Sequence, residues 1–436
     1  METRPGGTFV PGSRPRSGPS APLYRGTVDF MRLFIMLAMK WTVALLLVAA
    51  VVAVGVGNYL RPIPSVVATS ALHAQDTVAG AVPKIPWPSG GSGAMGAAGL
   101  GLIATSGDQR PASAASVTKV MTALVILTDK PLKNGESGPT ITITDTDVQS
   151  YLADQANKES VVLVQSGEQL TELQLLEGLL IPSANNFSQT LARWDAGSIV
   201  AFVASMNKRA AELHMTHSTF TDTSGASPKT VSTPSDLMTL GIEAMKQEVF
   251  VEIVRMAQAD LPVAGVVYNV DAVLGQSGII GIKTGSGLAE GANFLFAADA
   301  SVDGQSVRLY GCVMGLPTLA RAFAAAKSLI ASMRSNLHVR RIIAKNQAVA
   351  TYATPWGGQS DLLSTVDVSL VVWPGMIIRQ RLDAPPIVVD RPIAPGTREG
   401  SEHVLLGDYV VDVELATASP LYPPGRAWRL TRINFL

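Results

Sequence analysis

Three short groups of residues in this 436-residue chain have the types and spacing for nucleophilic acyl transfer. They are Ser116-Val117-Thr118-Lys119, Ser183-Ala184-Asn185 and Lys283-Thr284-Gly285. On a helix, residues three apart share a face, so Ser116 and Lys119 can hydrogen-bond directly. A serine hydroxyl attacks poorly until its proton is removed. A neutral lysine amine can take that proton, and burial beside a second cation, Lys283, favours the neutral form. At a helix start the Ser116 N–H has no intrahelical acceptor and can stabilise an oxyanion. Ser183 can relay a proton to a leaving amine, and Asn185 can hold a substrate amide. Lys283 and Thr284 on a strand edge offer a cation and a hydroxyl to a substrate carboxylate. Gly285 is expected to leave room for a peptide laid alongside as an added strand.

Order and context give the set its specificity. Ser205-Met206-Asn207-Lys208 repeats the first pattern, and its first three residues repeat the second. Both repeats fall in a stretch where Ile199, Phe202, Val203, Met206, Ala210 and Leu213 recur at helical spacing, so they read as helix surface. Lys-Thr-Gly occurs once. His214 and His217 lack the glutamate and the i, i+4 spacing of a zinc-protease helix and read as surface histidines. Asp145-Thr146-Asp147 reads as a helix start, and Gly285-Ser286-Gly287 lacks the phosphate-loop pattern. No metal or cofactor is expected.

Those residues need a scaffold, and the composition provides for one. Hydrophobic residues make up 47% and charged residues 16% of the chain, a core-forming balance. The length suggests two folded units plus extensions. Lys+Arg 34 balance Asp+Glu 34, which argues against a broad basic surface for nucleic acid. The single cysteine, Cys312, sits in the apolar run Leu309–Leu316 and reads as a buried strand residue. Alone, it does not decide the redox compartment.

Arg4, Arg14, Arg16, Arg25, Arg32 and Lys40 outnumber Glu2 and Asp29 in residues 1–40, whose first half is rich in Pro, Gly and Ser and reads as disordered. Trp41–Gly57 is uncharged, and extension to Tyr59-Leu60 gives about 20 residues, enough to cross a bilayer as a helix. The basic flank orients the N-terminus to the cytoplasm. A cleaved signal peptide is the competing reading; its charged region would be unusually long. An uncleaved anchor is preferred, and either way the remainder is exported.

Arg61–Gly99 carries Pro62, Pro64, Pro83, Pro86 and Pro88, and its first part reads as a linker after the anchor. Ser116–Leu127 is expected to be a helix, Thr233-Pro234 starts another, and Thr318–Met333 reads as a long one. Asn293–Ala298 and Ser306–Met314 read as strands, which makes an α+β fold. Beyond about residue 345, Val366–Trp373, Met376–Arg381, Ile387–Asp390, Val404–Leu415 and Ala427–Ile433 read as strands of a small all-β domain.

At these residues the chain resembles the low-molecular-weight penicillin-binding proteins, the serine-type D-alanyl-D-alanine carboxypeptidases of the S11 peptidase family. The resemblance runs from about 84 to 340. Ala115–Ala123 resembles the nucleophile helix. Ser166-Gly167-Glu168 and Leu173–Asn185 resemble the approach to the second motif. Ser232–Leu237 resembles a family helix start, and Gly281–Gly285 the third motif. It implies a β-lactamase/transpeptidase-like domain, an antiparallel sheet flanked by helices with a helical subdomain, followed by the all-β domain. The expected organisation is a disordered cytoplasmic tail over 1–40, a transmembrane helix over 41–60, a linker over 61–82, the carboxypeptidase domain over 83–344 and the β domain over 345–436.

The resemblance further implies Ser116 as nucleophile, Lys119 as general base and Ser183 as proton relay. Asn185, Lys283, Thr284, Gly285 and Ser286 would bind substrate, with Arg321 a carboxylate ligand one residue out of register. The backbone N–H groups of Ser116 and Ser286 would form the oxyanion hole. The substrates would be peptidoglycan stem peptides, and β-lactams would inhibit by acylating Ser116. Three stretches depart from the family pattern: Asn186 stands where Asp commonly follows the second motif, 224–229 replaces the usual Gly-Leu-Asp stretch, and Ser286-Gly287 replaces the usual bulky-then-Thr pair. Two rival readings are a β-lactamase and a catalytically weak cell-wall-binding scaffold. Class A β-lactamases use a Glu in a Glu-x-x-Leu-Asn run after the second motif, and no such run lies between Asn186 and Lys283.

Overall fold

The structure is a computed structural model and describes residues 25–287 and 291–432. Helix α1 spans Arg25–Leu60, starting well before Trp41, where the apolar run alone placed it. Phe30, Met31, Leu33, Phe34, Met36, Leu37 and Met39 are helix-compatible apolar residues, and Lys40 on its flexible stem does not interrupt them. Residues 25–40, assigned to the disordered tail, are therefore helical; residues 1–24 lie outside the described residues. Asp29–Leu60 is long and apolar enough to cross a membrane, with mean hydropathy 2.3 and exposed apolar side chains.

The central sheet has five antiparallel strands, ordered Ile279–Gly287, Gly291–Val302, Gln305–Leu316, Ser92–Ala97 and Gly101–Ser106. Strand side chains alternate between faces, and the sequence uses this to build two cores. Leu295, Ala297, Cys312 and Met314 pack into one, while Phe294, Phe296, Leu309 and Val313 pack into the other. The first core lies under helix α2 (Lys119–Asp129), which is buried along Val120–Leu127. Around it pack α3 (Asp145–Ala156), α4 (Glu172–Leu180), α5 (Asn185–Ala196), α6 (Ile199–Glu212), α7 (Pro234–Ala244) and α8 (Glu248–Arg255). Burying each Leu or Ile of α2 is worth about 1.5–3 kcal/mol. On the opposite face lies α9 (Leu319–Asn336), whose Phe323 meets Phe294 edge-on with ring centroids 5.0 Å apart.

The helix starts follow their caps. Thr144 accepts from the Asp147 N–H while Asp147 reaches back to the Thr144 N–H, so Asp145-Thr146-Asp147 is the first turn of α3. The duplicate motif Ser205–Lys208 is on α6, where Lys208 is exposed. Mixed helix and antiparallel sheet makes the fold α+β.

The β-rich region forms a seven-stranded sheet, and its two edges come from the stretch read as a linker. Ala68–Ser70 pairs with Ala348–Ala353, and Gln75–Thr77 with Ile377–Asp383. Val66 and Val78 bury their side chains in its core. The Pro residues signalled a loop, but two short edge strands fit between them, where prolines are tolerated. His338–Ile343 pairs with Val368–Val372, so strand pairing in this region starts ahead of residue 345. The turn at Gly407-Asp408 docks on the central sheet, with the Asp408 N–H donating to Gly99 O at 3.0 Å.

The chain end differs from the expected strand. Helix α10 spans Arg426–Thr431; Ile433, the last residue of that expected strand, lies outside the described residues. This short helix meets the end of α1, whose last carbonyls lack intrahelical partners. Arg432 donates to Asn58 O at 2.7 Å, Arg61 O at 2.6 Å and Pro62 O at 2.9 Å. Arg429 donates to Tyr59 O at 2.6 Å and stacks over the Tyr59 ring. Local alternation suggested a strand; contacts with the far end of the chain select a helix.

Candidate active site

Ser116 lies in a 3-10 turn, Ala115–Thr118, and the α-helix proper begins at Lys119. Lys119 Nζ stands 2.9 Å from Ser116 Oγ and donates to Ser224 O at 3.2 Å. Lys119 is fully buried. Burial, then the Lys283 ammonium, hold its pKa well below the ordinary lysine range, against the pull of Asp222, Glu159 and Asp154. Lys283 is also buried, and burial lowers its pKa to about 7, opposed by Asp271.

The backbone is strained at two motifs. Ala115, just before Ser116, has φ +46°, and Ser183 has φ +71°. Such left-handed non-glycine residues cost on the order of 1–3 kcal/mol and cluster at functional sites. Ser183 Oγ is buried and has no hydrogen-bond partner among the described residues. A buried hydroxyl left without a partner costs stability.

The third motif lies on Ile279–Gly287, an edge strand of the central sheet. A Cβ on Gly285 would come within 3.2 Å of Ser116 N and 3.1 Å of Ala114 O. A side chain at Gly285 would therefore crowd the turn that carries Ser116, whereas the sequence suggested that the glycine leaves room for an added peptide strand. Asn293, opposite Gly285 in register, donates to Ser113 O at 2.9 Å and so ties the sheet to the same turn. Thr284 is buried, and Ser286 is exposed at the strand's end.

Sequence reasoning missed the loop that closes the site from the other side. The Asp222 carboxylate accepts from the N–H groups of Ser224, Gly225 and Ala226 and from the Thr230 hydroxyl. That turn aims the Ser224 carbonyl at Lys119. Thr122 donates to Thr223 O at 2.6 Å, and the Ser188 and Thr223 hydroxyls are 2.8 Å apart, which links α2, the loop and α5. The only sequence signal was the departure from the family pattern at 224–229.

Asn186 also has a physical account. Its amide accepts from the Val162 N–H at 3.1 Å and donates to the Val162 carbonyl at 2.9 Å, a pairing that a carboxylate cannot complete. Arg321 does not join this group. It is exposed on the first turn of α9 and lines a cleft with Pro86, Trp87, Pro88 and Leu316 that contains none of the motif residues.

Residues 98–318 match the D-alanyl-D-alanine carboxypeptidase family, peptidase family S11. The chain belongs to that family. It is 31% identical over 262 residues to a D-alanyl-D-alanine carboxypeptidase of Streptomyces sp. (strain K15), covering 55% of this chain and 87% of the relative. It is 33% identical over 225 residues to the D-alanyl-D-alanine carboxypeptidase DacB2 of Mycobacterium tuberculosis (strain ATCC 25618 / H37Rv), covering 49% and 73% respectively. The crystal structure of the Streptomyces K15 DD-transpeptidase aligns with TM-score 0.50 and 26% identity over 58% of this chain and 98% of that one. Penicillin-binding protein 5 from Haemophilus influenzae shares the fold over 79% of this chain and 100% of its own, with TM-score 0.57 and 18% identity. As an S11 carboxypeptidase, this chain is a serine hydrolase with the D-alanyl-D-alanine carboxypeptidase or transpeptidase function of its family.

Proposed function

We propose that this enzyme removes the terminal D-alanine from peptidoglycan stem pentapeptides through an acyl-enzyme on Ser116. The observation that carries this is the 2.9 Å approach of a fully buried Lys119 amine to Ser116 Oγ. Neutral Lys119 takes the Ser116 proton as Oγ attacks the carbonyl carbon of the penultimate D-alanine. The N–H groups of Ser116 and Ser286 hold the oxyanion. Collapse breaks the C–N bond, and Ser183 passes the proton from Lys119 to the departing D-alanine amine. Water then hydrolyses the ester and returns the proton to Ser116.

Lys283 and Thr284 receive the substrate carboxylate, with Gly285 letting their strand lie against the nucleophile. Asn185 holds the substrate amide. Arg321, in its separate cleft, is left out of the chemical step. β-Lactams acylate Ser116 as substrate mimics. Helix α1 anchors the chain in the cell membrane, with the N-terminus cytoplasmic and the catalytic domain outside.

The test is D-alanine release from diacetyl-Lys-D-Ala-D-Ala by wild type and by Ser116→Ala. Release by the wild type alone is expected; equal release by both overturns the mechanism.

A further inference from the structure

We propose that Glu159 is a positioning residue that fixes the orientation of the Asn185 amide. This rests on the reading of Asn185 as the holder of the substrate amide.

The chain takes trouble to put Glu159 where it is. Helix α3 closes with Lys158 N–H donating to Gln155 O at 3.0 Å and Glu159 N–H donating to Asp154 O at 3.0 Å. That is the paired helix-end motif that ordinarily has glycine at its left-handed position. Here the position is held by Lys158 at φ +61°. The motif fixes the backbone at Glu159, directly before the segment that borders α5.

Two connections then join this segment to Asn185. The Asn185 N–H donates to Ser160 O at 2.8 Å, and Asn185 Nδ2 donates to Glu159 Oε2. The Asn186 amide pairs with Val162 one step further on. Asp154, on α3, accepts from Gln189 Nε2 of α5 at 3.0 Å and keeps the two helices in register. An asparagine amide has one donor end and one acceptor end. A carboxylate accepts only, so Glu159 selects the rotamer with Nδ2 toward itself. Nδ2 carries two hydrogens and gives one of them to Glu159; the other is left to donate to a substrate carbonyl. Without Glu159 the amide can turn over and present the wrong end.

The test combines three substitutions with kinetics on the D-Ala-D-Ala peptide. Glu159→Met keeps the stem and removes the acceptor. Glu159→Gln keeps an acceptor oxygen and removes the charge. Asn185→Ala removes the group being positioned. Expected are a fall in kcat/KM of about tenfold or more for Glu159→Met, carried mainly by KM, and a fall of less than about threefold for Glu159→Gln. On the Asn185→Ala background, Glu159→Met is expected to cost less than about twofold, since nothing remains to position.

An undiminished penalty on that background overturns the proposal. So does a Glu159→Gln variant as impaired as Glu159→Met with a displaced pH profile, which assigns the effect to charge near Lys119. If Asn185→Ala keeps wild-type kinetics, the reading of Asn185 fails and the proposal falls with it. Ser116→Ala separately tests the acyl-enzyme reading. Melting temperatures for each variant identify any loss due to unfolding, and Glu159→Gln provides the comparison if Glu159→Met folds poorly.

Discussion

Gly225 lies so close to Ala115 that a Cβ on it would stand 1.8 Å from the Ala115 carbonyl oxygen. Its φ of +82° also disfavours any side chain. The loop from Asp222 to Ala226 and the turn that presents Ser116 are thus packed backbone to backbone. Gly225→Ala must displace one of them. It is expected to destabilise the protein by about 2–4 kcal/mol. It should also abolish penicillin labelling of Ser116, because moving the loop withdraws the Ser224 carbonyl from Lys119. Thermal melts and labelling with a fluorescent penicillin check both outcomes.

Lys119→Met separates catalysis from stability. The lysine is fully buried, and burial holds its pKa well below the ordinary lysine range, which costs folding energy wherever the unfolded chain binds a proton that the folded chain holds less tightly. Replacing it with an apolar side chain of similar length removes that cost. Expected are a melting temperature at or above wild type and a loss of kcat/KM of at least about a hundredfold, as for removal of a general base. The measurements are calorimetry at pH 7 and D-alanine release.

The pH dependence follows from Lys283. Its pKa near 7 means that the free enzyme loses the ammonium proposed to meet the substrate carboxylate as pH rises through about 7. KM is therefore expected to rise across that range, while kcat changes less because bound carboxylate holds the proton in place. The stability sign is opposite. Between about 7 and the ordinary lysine pKa near 10.4, the unfolded chain binds the proton that the folded chain has lost, so stability rises with pH relative to Lys283→Met. A pH series of initial rates, beside melts of both proteins, checks the two trends.

Much of the candidate site was legible because its contacts are local. Ser116 and Lys119 are three residues apart, so helix geometry alone predicts their contact. The apolar run Leu309–Leu316 placed Cys312 in a buried strand, where it lies. What was not legible depends on distant pairs. Ser224 is 105 residues from Lys119, and nothing in its own neighbourhood announces a carbonyl aimed at a buried amine. Glu159 gave no signal, since an exposed-looking glutamate after a helix is ordinary. Gly285 was read as space for substrate; that a side chain there would crowd the turn at Ala114–Ser116 is visible only in three dimensions.

Asn186→Asp tests one departure from the family pattern. The amide nitrogen donates to the Val162 carbonyl at 2.9 Å, and a carboxylate there would set two acceptors against each other in a buried place. A loss of about 1–3 kcal/mol is expected at pH 7. Protonating the new carboxyl restores a donor, so its folded pKa is raised. The deficit relative to wild type should therefore shrink as pH falls below that pKa. Urea melts at pH 7 and pH 4.5 compare the two states.

Arg432→Ala addresses the clasp between α10 and the end of α1. The guanidinium satisfies carbonyls of Asn58, Arg61 and Pro62 at the point where α1 ends, and α10 has only six residues with which to hold itself. A helix that short is unstable without tertiary contacts. Removing the arginine leaves those carbonyls to water and frees α10 to unwind. Faster tryptic cleavage at Arg426 and Arg429 is expected in full-length protein held in detergent. Release of D-alanine from a small soluble peptide should be unchanged, because the clasp lies outside the catalytic cluster. Protection equal to wild type would mean that the Arg429 contact with Tyr59 is sufficient by itself, and Arg429→Ala on the same background would then have to release the helix.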